Sequence, residues 1–411
     1  MPTLPYVFLA ISYRDLTSPK EQPSRDVEHG KAAAMQFRPS SHDQAGEDDD
    51  PGDNGTVYRD VLLDTKKPYC YTDPLYLGDA NVLSLVLDIC QHPRPSHYMV
   101  PRGATRPLSP EESTFIEAGG CYSFPDKEIC ERLTQAYFKH IHPNLPIMEA
   151  GRFIARFRDR GTDGLNLLLM WSMFFAASSF ADENLVKGAG YISRKAMKRA
   201  FFKRAKILYD IDYERDKIIL IQSVILLSHW FVDSEDRNGP WYWIGIAISL
   251  AHTMGLHRSL KHPSQTDTRD PGIHQSLWRS IWWSCYFREV WISYGMGRPM
   301  RIHSNDVDVP MPTVDDIMRL STVEDRPELQ EYLPRDMSSL AVCWIKHLHI
   351  AICISKIQYV HYEPTKENPT TTDIAKHEHE LLQCFGAHRI SDPTASMELQ
   401  LATLQIAVTE Q

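Results

Sequence analysis

The sequence lacks the close spacings on which metal and nucleotide chemistry depend. Its eight cysteines, at positions 70, 90, 121, 130, 285, 343, 353 and 384, are never separated by fewer than eight residues. That excludes a C-x-x-C pair and zinc-finger spacing. The apolar runs around Cys285, Cys343 and Cys353 point instead to buried, reduced thiols. No G-x-S-x-G, G-x-x-x-x-G-K-[ST] or H-R-D-type run occurs, so the common nucleophile, phosphate-loop and kinase chemistries have no foothold.

A dense Lys/Arg block is also lacking. The net charge is −9, which argues against these residues being a DNA-binding module by themselves, because neutralising phosphates needs a basic face. The richest basic stretch, Ile192–Leu208, alternates cations with apolar residues at helical spacing and reads as a solvated helix face. Long apolar runs are missing too. Ile218–Val232 is too short to cross a bilayer and contains Gln222, Ser223, Ser228 and His229. The N-terminus has a short apolar core and no cationic start, which fails as a signal peptide. A soluble protein is expected, with no membrane partner.

What remains is helical. Alternation with a period of two is nearly absent, while long segments carry apolar residues at i, i+3, i+4 and i+7. Residues 1–55 are polar, with an acidic tract at His42–Asp53, and are expected to be disordered. Residues 56–120 read as a linker with short helices, one over 79–90. Another opens with Ser109 as N-cap and Pro110 at the first helical position, and ends at Gly119-Gly120. Residues 121–385 read as one all-α, multi-layer domain, and 386–411 as a C-terminal helix or tail. Within the domain, Ile129, Leu133, Ala136 and Tyr137 form one stripe. Asn166–Phe180 is apolar all round and predicts a buried central helix. Asn238-Gly239-Pro240 opens a helix that Gly255 closes. Further helices are expected at Ser338–Val360 and Thr372–Gly386.

The segment around Trp278, Trp282, Trp283 and Trp291 is the most distinctive. Trp278, Trp282, Cys285 and Glu289 step by four, three and four and share one stripe, with Ile281, Ser284 and Arg288 beside it, so the helix is expected to be core. Gly295 is expected to end it, Gly297 to take a tight or left-handed turn, and Pro299 to prevent its resumption. GMGRPM lacks the third glycine of a dinucleotide loop and follows a helix, not a strand. Across the turn, Arg298 or Arg301 is expected to pair with Asp306 or Asp308. Those two carboxylates read as turn formers rather than as an acid/base pair. In each of the pairs His140/His142, His347/His349 and His377/His379 the rings point about 200° apart on a helix, which suits no shared metal. No catalytic, cofactor-binding or metal-ligating residue is expected, and no cofactor.

Three motifs then give a resemblance. Trp282, Trp283, Gly297, Arg298, Pro299, Asp306, Asp308, Val309 and Pro310 match an LWW-x-x-(Y/F) helix, a G-R-P turn and a D-x-D-V-P-x-P segment. Upstream, Gly245, Ala247, Ala251, Gly255, Leu256, His257 and Arg258, with Trp241 or Trp243, match a W-x-x-x-G-x-A-x-x-x-A-x-x-x-G-L-H-R helix. Tyr137, Phe138, His142, Pro143 and Pro146 match an opening Y-F-x-x-(V/I)-H-P-x-x-P element. Together they resemble the fungal-specific transcription factor regulatory domain, or middle homology region, of zinc binuclear cluster regulators, and DPLYLGD is closest to the cutinase-type factors. The similarity is tight over about 125–315 and looser over about 60–385. The resemblance implies a nuclear, all-α regulatory region of a transcriptional regulator of metabolic or secondary-metabolite gene clusters. It implies homo- or heterodimers with related regulators, contact with the transcription machinery, and a small-molecule effector. The family's six-cysteine zinc cluster needs C-x2-C-x6-C twice, and neither half occurs here. DNA contact is therefore expected to be indirect, through a lost or separate module. The alternative is an interaction protein that modulates related regulators without binding DNA.

Overall fold

The computed structural model describes residues 107–231, 239–259, 271–322 and 327–361, with short pieces at 72–76, 78, 89, 97–101 and a few positions between 370 and 380. The chain divides into residues 1–51 and 52–411, and all described residues lie in the second unit. The expectations for 1–55, for most of 79–90 and 372–386, and for 386–411 lie outside the described residues.

Two short strands, β1 (Thr72–Leu75) and β2 (Tyr98–Pro101), pair antiparallel. They are the only strands among the described residues, and four residues each is too short to leave a readable alternation. Every long described element is helical.

Helix α1 (Pro110–Ala118) starts in a full capping box: Glu112 N–H donates to Ser109 Oγ, and Ser109 N–H to the Glu112 carboxylate. Gly119 caps its end, and Gly120 takes φ +68°. Helix α2 (Lys127–Ala136) runs into a π turn at Tyr137–Ile141. Pro143 and Pro146 then turn the chain into α3 (Ala150–Arg160). A 3-10 turn at Gly161–Gly164 leads to α4 (Leu167–Ala177), whose N-cap Asn166 accepts from Leu169 N–H and whose every residue is buried. The expected central helix is therefore present. It packs on α2 and the π turn on one side, and on α6 (Arg194–Asp210) and α7 (Lys217–Leu227) on the other. The short helix α5 (Glu183–Gly188) connects α4 to α6.

On α6, Met197, Phe201, Phe202, Ala205 and Leu208 face inward and most cations face out. Helix α7 hands the packing on to α8 (Pro240–Thr253), and α8 to α9 (Pro271–Met296). Helix α9 then supports α10 (Val314–Ser321) and α11 (Met337–His361). Residues Met337–Tyr359 of α11 are long and apolar enough to cross a membrane by length and composition. Their inner stripe of Ala341, Trp344, Leu348, Ala351 and Ser355 is buried, on a helix that packs against α9 and α10. One contiguous apolar cluster links all these layers.

Candidate functional site

Two of the three motifs meet where α8, α9 and the chain after α9 come together; the third, opening at Tyr137, packs on α2 and α4 instead. Helix α8 ends in a Schellman turn. Gly255, at φ +71°, donates to His252 O, and Leu256 N–H donates to Ala251 O, both at 2.9 Å. The turn buries Leu256 and His257. The His257 carbonyl then accepts from Asp308 N–H at 3.1 Å and Val309 N–H at 3.2 Å. Ser259 completes the clamp: its N–H donates to Asp308 Oδ1 at 2.6 Å and its hydroxyl to Asp308 O at 2.8 Å. Arg258 lies 3.5 Å from the same carboxylate. The G-L-H-R turn and the D-V-D-V-P strap are thus two halves of one backbone clamp.

Helix α9 holds the clamp from below. Trp283 Nε1–H donates to Pro310 O at 2.9 Å. Trp282 is fully buried and packs its indole on His252 and His257. From above, the ribbon of β1 and β2 adds Tyr76, whose N–H donates to Thr253 O at 2.9 Å and whose ring meets His257 edge-on. His97 donates from Nε2 to Gly255 O. Burial lowers the pKa of His97, of His252 and of His257, the last to about 4. Near neutral pH all three imidazoles are uncharged and packed.

A second knot lies at the far end of α9. Glu289 is fully buried and its carboxylate accepts from Arg301 N–H at 2.7 Å and from Arg301 Nη1 at 3.0 Å. Burial raises the Glu289 pKa against the opposing pull of Arg301. Arg301 also donates to Trp241 O at 2.9 Å and lies 3.3 Å from the centroid of the Trp241 ring. A Cβ at Gly245 would sit 3.0 Å from the guanidinium, so the glycine of the α8 motif makes room for Arg301.

This corrects one expectation. Neither Arg298 nor Arg301 pairs with Asp306 or Asp308: Arg301 turns back to Glu289, Arg298 lies over Trp241, and Arg258 takes Asp308. A buried carboxylate needs a cation more than a half-exposed turn aspartate does, and Glu289 in an apolar stripe was the signal that could have revealed this. The end of α9 is also corrected. The helix runs through Gly295 to Met296, and Gly297, at φ +61°, makes the terminal turn, with Arg298 N–H donating to Ser293 O.

In two of the histidine pairs one ring faces inward and the other outward. His142 is fully buried, 3.3 Å from Ser321 Oγ, with its pKa lowered by burial to about 3, whereas His140 is exposed and stacks on Phe180. His347 packs by Phe287, and His349 faces out. His377/His379 lies largely outside the described residues. Among the described cysteines, Cys121, Cys130, Cys285 and Cys343 are buried and free, and Cys353 is half-buried. Among the described residues no group of three metal-ligating side chains comes together.

A cavity of about 790 Å³ opens elsewhere, between α3, α4, α7 and the first turns of α9. Its wall carries Phe153, Leu169, Met254, Leu277 and Trp278, and its rim carries charge from α3. Nothing in the sequence marked it, because its lining comes from five separate segments.

Comparison with known proteins agrees with the motif geometry. Residues 134–386, more than half of the chain, match the family model described as fungal specific transcription factor domain. The chain is 34% identical over 275 residues to Cutinase transcription factor 1 beta of Fusarium vanettenii, covering 64% of this chain and 31% of that protein. It is 29% identical over 297 residues to Cutinase transcription factor 1 alpha of the same organism, covering 69% of this chain and 31% of the relative. It is 29% identical over 263 residues to Transcription factor cpaR of Aspergillus oryzae, covering 61% and 42%. The chain thus spans well under half the length of these relatives. No solved structure matches.

Proposed function

The chain belongs to the fungal-specific transcription factor domain family, and from that membership we propose that it is the regulatory region of a fungal transcriptional regulator that acts in the nucleus on metabolic or secondary-metabolite gene clusters. The observation that carries this reading is the clamp between His257 and Asp308–Val309. It spends the family's most distinctive residues on holding helices together. Trp282, Asp308 and His257 touch one another's elements rather than a reactive centre, so the domain works through its surfaces and not by catalysis.

The net charge of −9 supports a division of labour. Phosphate contact needs a basic face, and DNA contact here is assigned to a zinc module carried elsewhere or by a dimeric partner. Related regulators and the transcription machinery are the partners this reading calls for. A second reading, modulation of related regulators without any DNA module, draws on the same charge and on the absence of C-x2-C-x6-C spacing.

Two measurements test it. The chain tethered to an unrelated DNA-binding domain is expected to change reporter transcription, and the free chain is expected to bind duplex DNA only weakly. A tethered chain that leaves the reporter unchanged counts against a regulatory role. Tight DNA binding with a steep salt slope overturns the division of labour. Lowered expression from a related factor's promoter on overproduction of the free chain selects the second reading.

A further inference from the structure

We propose that the outer face of α6 is a docking surface for an acidic peptide segment of a partner protein, one whose carboxylates recur at alternate positions of an extended chain and whose end carries an aliphatic side chain. The contact goes beyond the regulatory reading above, and its test does not depend on that reading.

Helix α6 reads RKAMKRAFFKRAKILYD, seven cations against the single acid Asp210, in a chain whose net charge is −9. The fold itself uses four of the seven. Arg194 donates from Nε to Ala181 O at 2.9 Å. The Lys198 ammonium lies 5.5 Å from the centroid of the Phe175 ring. Arg204 donates to the Tyr191 hydroxyl at 2.9 Å and lies over Trp171. Lys206 donates to Asp210 at 2.8 Å. The other three, Lys195, Arg199 and Lys203, are exposed and step by four, which lines them up along one side of the helix. Arg199 and Lys203 make no ion pair with any described residue.

A face that is merely solvated carries both signs, because opposite charges at i, i+4 support a helix and like charges there oppose it. This stripe has one sign, so it weakens its own helix until an outside acid covers it. Its spacing suits an extended chain. Four residues of helix rise about 6 Å, and alternate side chains of a strand stand about 6.6–6.8 Å apart on one face. A strand lying along α6 therefore brings a carboxylate to each cation in turn, where the contact is charge-assisted.

Ile192 decides the class of anion. It is 99% exposed, in the turn after Gly190 (φ +81°) and directly before the N-cap Ser193. One exposed apolar residue is ordinary alone. Three residues ahead of the stripe, it offers an aliphatic contact that a peptide side chain matches. Nucleic acid does not match it: phosphates need no apolar neighbour, and an isoleucine gives a base no ring to stack on. An anionic bilayer does not either. Helix α6 turns Met197, Phe201 and Leu208 into the core, so it has no apolar side left to sink among lipids.

The test uses the purified full chain at about 0.15 M salt, where distant surface charges are screened. The probe is a fluorescein-labelled peptide with three glutamates at alternate positions and a leucine pair at one end, read by polarisation. Arg199→Glu with Lys203→Glu is expected to weaken binding about tenfold or more. Lys127→Glu with Arg156→Glu, the same change of charge at exposed positions of α2 and α3, is expected to leave it within about twofold. Arg199→Gln with Lys203→Gln, which adds no repulsion, should also weaken binding while the thermal transition stays in place, and so separates lost docking from lost folding. Ile192→Ser should weaken the leucine-ended probe about threefold or more and leave a serine-ended probe unchanged. No binding of the probe, equal losses from the two charge reversals, or an Ile192→Ser variant indifferent to the end of the probe each overturns the proposal. So does duplex DNA or a phosphatidylserine vesicle that binds more tightly than the peptide and is released by the same Arg199 and Lys203 substitutions.

Discussion

His97 Nε2–H donates to the Gly255 carbonyl across 2.9 Å, and the contact exists because residue 255 has no side chain. A Cβ there would stand 2.5 Å from His97 Nε2 and 2.8 Å from Tyr76 Cβ. The same glycine ends α8 with a positive φ. It therefore meets a local demand and a tertiary one: it lets the helix stop, and it lets the ribbon of β1 and β2 dock on the stop.

Gly255→Ala tests both demands. The strained φ and the clash add, and a loss of about 2–4 kcal/mol is expected in urea unfolding. Hydrogen exchange separates the two contributions. The Tyr76 amide, which donates to Thr253 O, should lose protection more than amides in the middle of α4. Unchanged protection at Tyr76 would show that the ribbon does not depend on the turn.

The ion pair between Glu289 and Arg301 makes the next prediction. Arg301→Met strands a fully buried carboxylate, and a loss of about 3 kcal/mol is expected. Glu289→Met combined with Arg301→Met should recover most of it, because removing both charges also removes the desolvation cost. A double-mutant cycle with no coupling would refute the pairing.

Caps and interior stripes were legible in the sequence because their causes are local. Ser109 before α1 and Gly255 after α8 act within a turn of where they sit. The Trp282–Glu289 stripe reads from period alone. What escaped was settled across long separations. The partner of Glu289 lies twelve residues on, past the helix end, so an equally plausible pairing with the strap aspartates was preferred. The ribbon joins Thr72 to Pro101, and such short strands announce themselves only through their partner. The cavity needs α3 and α9 side by side, which no single window of sequence contains.

Acid should loosen the clamp. His257 is held near pKa 4 chiefly by burial, helped by His252, Arg258 and His97 and opposed by Asp308; Tyr76 and Trp282 cover its remaining faces. The unfolded chain, with His near 6.5, binds more protons than the folded chain between these values. Stability therefore rises with pH across that window and falls as pH drops from about 6.5 toward 4. His142 and His347, also lowered by burial, act in the same direction. His257→Gln should flatten the urea midpoint against pH over this range relative to the parent chain. An unchanged slope would mean that His257 does not titrate with folding.

The two strap aspartates, alike in sequence, should differ in worth. Asp308 accepts from Ser259 N–H at 2.6 Å and lies 3.5 Å from Arg258. Asp306 sits exposed on the 3-10 turn at Ser304–Asp306. Asp308→Ala removes an acceptor from a charge-assisted bond and should cost about 1–2 kcal/mol, whereas Asp306→Ala should stay within about 0.5 kcal/mol of the parent. Asp308→Asn keeps the acceptor and loses the charge, so it should fall between the two. Equal effects of the two alanine substitutions in thermal or urea unfolding would show that the strap is held by its prolines and by Trp283 rather than by the clamp. The ordering Asp308→Ala, then Asp308→Asn, then Asp306→Ala would place the clamp's stability in the Ser259 amide and the Asp308 oxygen it binds.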